Sequence, residues 1–282
     1  MEFTDLYDSK VIKKNISGKI KIKSKDSSHK YIKVILISLV LLTIIGFVTF
    51  DYKDLDFFEA VGKTISNVKT MFLESELSHI TFLEALKQVG ITFSLAFITT
   101  LIGVVIAFFL ALFAAKNLSN SYISNMIKGF VAFIRAIPTV LWVLIFAVTI
   151  GLGSEAAIIG MTFHTVGYLI KAYSEAFEEI DEGVIEALKA SGASFWQIVF
   201  QAVLPSTLTY LLVWTFMRFE INFTNAVAMG AISGAGGIGF VLYMSSSFYF
   251  DIKEVGIIAI LILICAIILE IFSTKIKRKY IK

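Results

Sequence analysis

The sequence predicts an all-α fold, a polytopic bundle of membrane-spanning helices. Three observations predict it. Hydrophobic residues make up 57% of the 282 residues, and the mean hydropathy is +0.83, well above an average soluble domain. Several apolar runs reach the roughly 20 residues that a helix needs to cross a bilayer. Only two prolines occur, so these runs can stay helical. Six spans are expected, at 34–50, 91–115, 126–152, 156–170, 206–223 and 255–274; the first and the fourth are short.

Each segment has its own reason. Residues 1–33 form a basic tail carrying Lys10, Lys13, Lys14, Lys19, Lys21, Lys23, Lys25, Lys30 and Lys33. The other end carries Lys275, Lys277, Arg278, Lys279 and Lys282. Lysine and arginine stay on the cytoplasmic side of short loops, so both termini are expected in the cytoplasm and the number of crossings is expected to be even. The apolar segment 226–250 is therefore placed as an extracytoplasmic or re-entrant piece and not as a crossing. The lysines around Lys19 read as a juxtamembrane stretch attracted to anionic lipid, in preference to a nucleic-acid-binding arm. No small-residue cleavage site follows the first apolar core, so that span is expected to be retained. Cys265 is the single cysteine, which excludes an intrachain disulfide and leaves the redox compartment unread.

A second unit, 34–90, joins the first span to a stretch with structure of its own. Phe58, Val61, Ile65, Val68 and Phe72 recur at steps of three and four, giving one apolar stripe on a polar helix. It is expected to lie along the outer membrane surface or to pack on the bundle. A further helical piece at Phe82, Leu83 and Leu86 is expected to enter the second span at an angle.

Residues 91–282 form the core, with a cytoplasmic loop at 174–205. Within that loop, EALKASGASFWQIVFQAVLP at 186–205 reads as two short helices joined by a tight turn. Asp181 is placed to cap the first helix, with Glu182 in its first turn. Gly192 sits where a helix ends in a left-handed residue. Ser194 and Gln197 form a capping box for the second helix, and Pro205 marks a kink or a new start.

Charged residues inside spans are costly and usually functional. Arg218 and Glu220 lie two apart in the outer part of the fifth span, so they face different directions and each needs a partner elsewhere. Arg218 either snorkels or pairs structurally, or faces a cavity where its guanidinium fork would suit an oxyanion. Arg135 is an anchor before Pro138 or a gate residue. His164 is an interior histidine without an evident partner. Trp142, Trp196 and Trp214 read as interface or packing aromatics.

Two nucleotide signatures fail. Gly234, Gly236 and Gly239 satisfy a dinucleotide fingerprint formally, but no strand precedes them and no βαβ unit surrounds them. With Gly237, these glycines either allow close helix approach or present backbone N–H groups to an outer gate or an anion. Gly62, Lys63 and Thr64 have the shape of a P-loop end, but Phe57 occupies the position of its first glycine. His29, His79 and His164 are too scattered for a metal set, and no nucleophile with an adjacent base suggests an enzyme.

The segment 186–205 resembles the coupling loop of binding-protein-dependent ABC importer permeases, a Glu-Ala-Ala followed by three residues, Gly, nine residues and Ile-x-Leu-Pro. Glu186, Ala187, Gly192, Leu204 and Pro205 match at that spacing, while Leu188 and Ala202 depart from it. RAIPTVLW at 135–142, RFEIN at 218–222 and GAGGIG at 234–239 then follow the order of the phosphonate importer permeases, the PhnE family. The glycine-rich piece is also similar to that of methionine-type permeases. The resemblance runs from about residue 84 to the C-terminus.

It implies a type I importer permease fold in the cytoplasmic (inner) membrane of a prokaryote. A homodimer of this chain would enclose the translocation path. A cytoplasmic ATPase subunit would dock under each coupling loop and use ATP and Mg, with no cofactor bound by this chain. A solute-binding protein would dock outside. The cargo implied is phosphonate or a related phosphorus oxyanion. A permease for methionine, an osmolyte or another small solute is the nearest alternative; a secondary transporter and a membrane-anchored sensor are the others.

Overall fold

A computed structural model describes residues 12–14, 20–22, 28–49 and 56–280. The chain divides into two compact units, 1–61 and 62–282. In the first, β1 (Ile12–Lys14) and β2 (Ile20–Ile22) pair antiparallel, with Lys13 opposite Lys21. Helix α1 (Ser28–Thr49) opens with His29, Lys30 and Lys33 and from Val34 onward presents large apolar side chains on every face, the surface of a helix meant for lipid. The rest of the lysine tail, residues 50–55 and Lys282 lie outside the described residues.

The remaining helices are α2 (Phe57–Leu73), α3 (Phe82–Ala114), α4 (Ser121–Ala136), α5 (Thr139–Ile150), α6 (Ser154–Glu178), α7 (Glu182–Ala190), α8 (Phe195–Ile198), α9 (Leu204–Ser233), α10 (Gly237–Tyr243) and α11 (Ile252–Tyr280). Among the described residues, four helices are long and apolar enough to cross a membrane: α1, α3, the run through α8 and α9, and α11. The pair α4 and α5 makes a fifth only as a bent span. Helix α6 has the length but is more polar, so six crossings are not established helix by helix.

The third expected span is broken, with an 87° bend between α4 and α5. Pro138 lacks a backbone N–H, and the residue before a proline is pushed out of the helical region; Ile137 is extended at φ −94° and ψ 122°. The angle expected ahead of the second span is absent, because α3 runs unbroken for 33 residues. Its start is fixed by a capping box between Thr81 and Glu84. Helix α9 continues to Ser233, past the expected end at 223. The segment after it is the short α10 and a π turn, Met244–Phe248, too short for a crossing. On α2 the stripe is present, and Phe58, Ile65 and Phe72 are all exposed.

Helices α3, α6 and α9 form the centre, with α5 on α6, α4 against α6 and α3, and α10 held between α3 and α9. Glycines set the closest approaches. A Cβ at Gly160 would lie 2.6 Å from Val143 Cα, and one at Gly239 would overlap the Val227 carbonyl. Small residues at such crossings let membrane helices touch backbone to backbone.

Candidate coupling element and membrane polar site

The stretch from Asp181 to Gln197 folds as its local chemistry dictates. The Asp181 carboxylate accepts from the Gly183 N–H at 2.8 Å and starts α7. At the far end, Gly192 is left-handed at φ +83°. Its N–H donates to Lys189 O at 3.0 Å, and the N–H of Ala193 donates to Leu188 O at 3.0 Å. This double closure satisfies carbonyls that would otherwise be orphaned. Ser194 and Gln197 complete the expected capping box, the Ser194 N–H donating to Gln197 Oε1 at 2.7 Å.

One expectation about this element is overturned. The second helix is not short and does not restart at Pro205. A π turn, Val199–Val203, carries α8 into α9, with the Leu204 N–H donating to Val199 O. The wider turn absorbs the proline's missing donor, so the run from Phe195 to Ser233 is continuous. A push on the turn at Gly192 therefore acts on the end of a helix that runs on through the bundle.

Only one side of α7 is anchored. Ile185 is 2% exposed and packs in a cluster with Phe177, Ile198, Val199 and Val203. Glu186, Ala187 and Gly192 are exposed, Leu204 is half-buried and Pro205 exposed. Four of the five motif residues thus keep surface outside the cluster. Beside this element, Arg135 is exposed in the last turn of α4 and lines a cleft of about 330 Å³ with Lys128, Ile170, Lys171, Ser174 and Glu178. Lys128 Nζ bonds Glu178 Oε1 there at 2.7 Å.

Arg218 lies at the midpoint of α9 and not toward its outer end, because the helix continues further than expected. It is 2% exposed, so it does not snorkel. Its Nε and Nη2 donate to Thr165 Oγ1 at 3.2 and 3.1 Å, and Nη2 lies 3.3 Å from His164 Nδ1. Its Cζ sits 5.1 Å from the centre of the Tyr168 ring. Thr165 Oγ1 also meets Asn222 Oδ1 at 3.1 Å, and Asn222 Nδ2 donates to Thr100 Oγ1 at 2.8 Å. One polar chain thus ties α9, α6 and α3 together. Glu220 is half-buried and takes no part in it.

Thr165, Tyr168 and Thr100 escaped the sequence reading. A signal was present in α9, where Trp214, Arg218 and Asn222 recur every four residues on an apolar helix. Nothing comparable marked Thr100, which enters only because α3 crosses α9.

The glycine-rich piece lies at the join between α9 and α10. Gly234 is left-handed at φ +66° and ends α9. The N–H groups of Gly237 and Ile238 donate to Gln88 Oε1 at 3.1 Å and Thr92 Oγ1 at 3.0 Å, so both donors are engaged by α3. Gly239 is buried inside α10 against α9.

A lock unseen in the sequence closes this end. Glu254, fully buried, accepts from the N–H groups of Ser78 and His79, from His79 Nδ1 at 2.9 Å and from Ser245 Oγ at 2.8 Å. The Ser78 hydroxyl, aided by backbone N–H groups of Glu254 and Lys253, holds the Asp251 carboxyl below its ordinary pKa. His79, Asp251 and Glu254 have the donor types of a metal site, within 4.8 Å of one another. Glu254 already receives four donors, which fits a structural lock between the loop before α3 and the start of α11.

Residues 103–282 match the family described as binding-protein-dependent transport system inner membrane component. The chain is 29% identical over 178 residues to the phosphate-import permease protein PhnE of Mycolicibacterium smegmatis, covering 62% of this chain and 33% of that one. It is 30% identical over 190 residues to the phosphite transport system permease protein PtxC of Stutzerimonas stutzeri, covering 67% of this chain and 68% of that one. The chain thus spans a third of the length of the first relative and about two thirds of the second. In fold it is similar to a chain of the MetNI methionine ABC transporter in an inward-facing conformation, with a TM-score of 0.64, 22% identity, and coverage of 73% of this chain and all of that one. A multi-pass helical membrane chain with this match belongs to the family of binding-protein-dependent transport system inner membrane components.

Proposed function

We propose that this chain is the membrane subunit of an ATP-driven importer and carries a phosphorus oxyanion such as phosphonate, phosphite or phosphate. The observation that carries the reading is the anchoring of α7 on one side only, by Ile185 and the half-buried Leu188, with Glu186, Ala187 and Gly192 left exposed beside a helix that continues through the bundle. Such an element is built to be gripped from outside the chain and to pass a displacement inward. The names of the relatives support the cargo.

In this reading both basic termini and α7 lie on the cytoplasmic side. A separate ATPase subunit, which binds the ATP and Mg, docks on Glu186, Ala187 and the Gly192 turn, while Leu204 and Pro205 carry its movement into α9. Two such permease chains enclose the path, a solute-binding protein delivers cargo from outside, and Arg135, Glu220 and the glycines 234, 236, 237 and 239 border the path or its gate. ATP-driven closure of the partner shifts the bundle between inward- and outward-facing populations. No bond of the solute changes, so the chain itself is not an enzyme.

The test is co-purification. The tagged chain should bring down an ATPase from its native membrane, and Glu186→Lys should release it while the permease remains monodisperse. Retention of the ATPase by Glu186→Lys and by Gly192→Pro alike would overturn the coupling role.

A further inference from the structure

Among the described residues, the Arg218 guanidinium meets no anion. It is 2% exposed, and a guanidinium keeps its charge throughout the pH range of proteins. The groups it meets are a threonine hydroxyl, a histidine ring nitrogen and a tyrosine ring face, none of which carries negative charge beside a cation. Among the described residues, the ion pairs lie elsewhere. A buried ion without a counter-charge is costly, and one within a membrane helix more so.

A second orphan lies beside it. Trp214 Nε1, one helical turn before Arg218, is buried and has no acceptor among the described residues. The Tyr168 ring spans the two, 5.8 Å from the ring of Trp214 and 5.1 Å from Arg218 Cζ. Arg135 packs its side chain against α6 at Gly167, the residue before Tyr168. Tyr168, His164 and Trp214 are only half-buried, so the side chains around the two orphans keep some surface of their own on α6 and α9. Donors outnumber acceptors here and the charge is positive. The ligand that satisfies both has negative charge and several acceptor oxygens, and a guanidinium fork fits two oxygens of a tetrahedral anion at once.

We infer that Arg218 and Trp214, with Tyr168 and His164 beside them, form an oxyanion-binding site inside the membrane part of this chain. The permease then selects charge itself and does not leave all selection to a binding protein. The phosphorus identity of the cargo rests on the proposed function; the site does not.

Calorimetric titration of the purified transporter, without binding protein, with inorganic phosphate, phosphite, methylphosphonate and sulfate in turn tests it. Arg218→Lys keeps the charge but loses the fork, and Trp214→Phe keeps the ring but loses the donor. Each should weaken phosphate binding by about tenfold, the worth of one charge-assisted hydrogen bond, with the ATPase still co-purifying. Unchanged binding in both variants overturns the site. So does a parent protein that binds none of the four anions. So does a Glu220→Gln phenotype identical to Arg218→Met without any anion binding, which would assign the counter-charge to Glu220 of a second copy. Arg218-dependent binding of sulfate alone supports the site and overturns the phosphorus cargo. If the parent brings down no ATPase, the importer reading fails, and phosphate binding by the chain alone still decides the site.

Discussion

Between Asp181 and Gln197, the hydrogen bonds that set the caps and the turn span five residues or fewer. Around Arg218 the bonds join residues 53 to 122 positions apart. The first region can take its shape before the rest of the bundle exists, because each cap is written in neighbouring residues. The second has no shape until α3, α6 and α9 have met. An element that must present one surface to a partner is served by local specification, which survives movement of the bundle. A polar site inside a membrane depends on collective specification, since an unsatisfied group there is costly in any other arrangement.

The largest expected effect falls on collective packing. Gly239→Leu places side-chain atoms onto the Val227 carbonyl and should cost about 3 kcal/mol or more, at the upper end of overpacking. It would be read as loss of a monodisperse peak after detergent extraction. A normal peak would mean that the contact of α9 with α10 yields easily, and that the core is less interdependent than the comparison holds. Asn222→Ala removes the link between Thr165 and Thr100 and should cost about 2 kcal/mol, combining a small cavity with lost hydrogen bonds. A double-mutant cycle with Thr100→Val should show coupling of about 1 kcal/mol; strict additivity would separate α3 from the network.

The local element should respond locally. Gly192→Val forces a branched side chain into a left-handed conformation and should cost about 1.5 kcal/mol. Since a Cβ there meets nothing within 4 Å, the cost is conformational and should appear as faster hydrogen exchange confined to α7. Faster exchange that spreads into α6 or α9 would blur the line between the two regions. Ser194→Ala should cost about 1 kcal/mol through the lost cap, measurable by exchange at Gln197. Glu186→Lys is the smallest in stability, within about 0.5 kcal/mol for an exposed site. Its effect on ATPase retention should nevertheless be among the largest, and that contrast is the sharpest check that the exposed face serves a partner.

Much of the coupling element was legible because capping chemistry is short-range. Asp181, Gly192, Ser194 and Gln197 each act within a few residues, and the cap, the turn and the capping box they form all occur as read. The same region shows where short-range reading fails. Pro205 signalled a kink or a new start, and with the π turn before it the helix does not start anew. Pro138 gave no such relief, and there the chain bends by 87°. One residue type led to two outcomes, because a wider turn supplied an alternative bond in one place and an extended Ile137 supplied none in the other.

In the membrane core, Arg218 was legible as a costly charge but its surroundings were not. Sequence spacing places Trp214, Arg218 and Asn222 on one face of α9 and cannot say which helix faces them. His164 acquired a partner only through the packing of α6 on α9. The lock at Glu254 left no sequence signal either, since Ser78 and His79 approach it from a distant segment and Ser245 reaches it only through the fold of the π turn before α11.

By itself, the sequence determined the helical membrane class, the basic ends and the capped turn at Gly192, because hydropathy, charge and caps act over a few residues or one helix. Only the tertiary structure decided that α9 passes Pro205 unbroken, that the third span bends at Pro138, and that Arg218 is buried among neutral groups. Those outcomes depend on which helices meet and which backbone groups they leave without a partner, and that is a property of the assembled bundle.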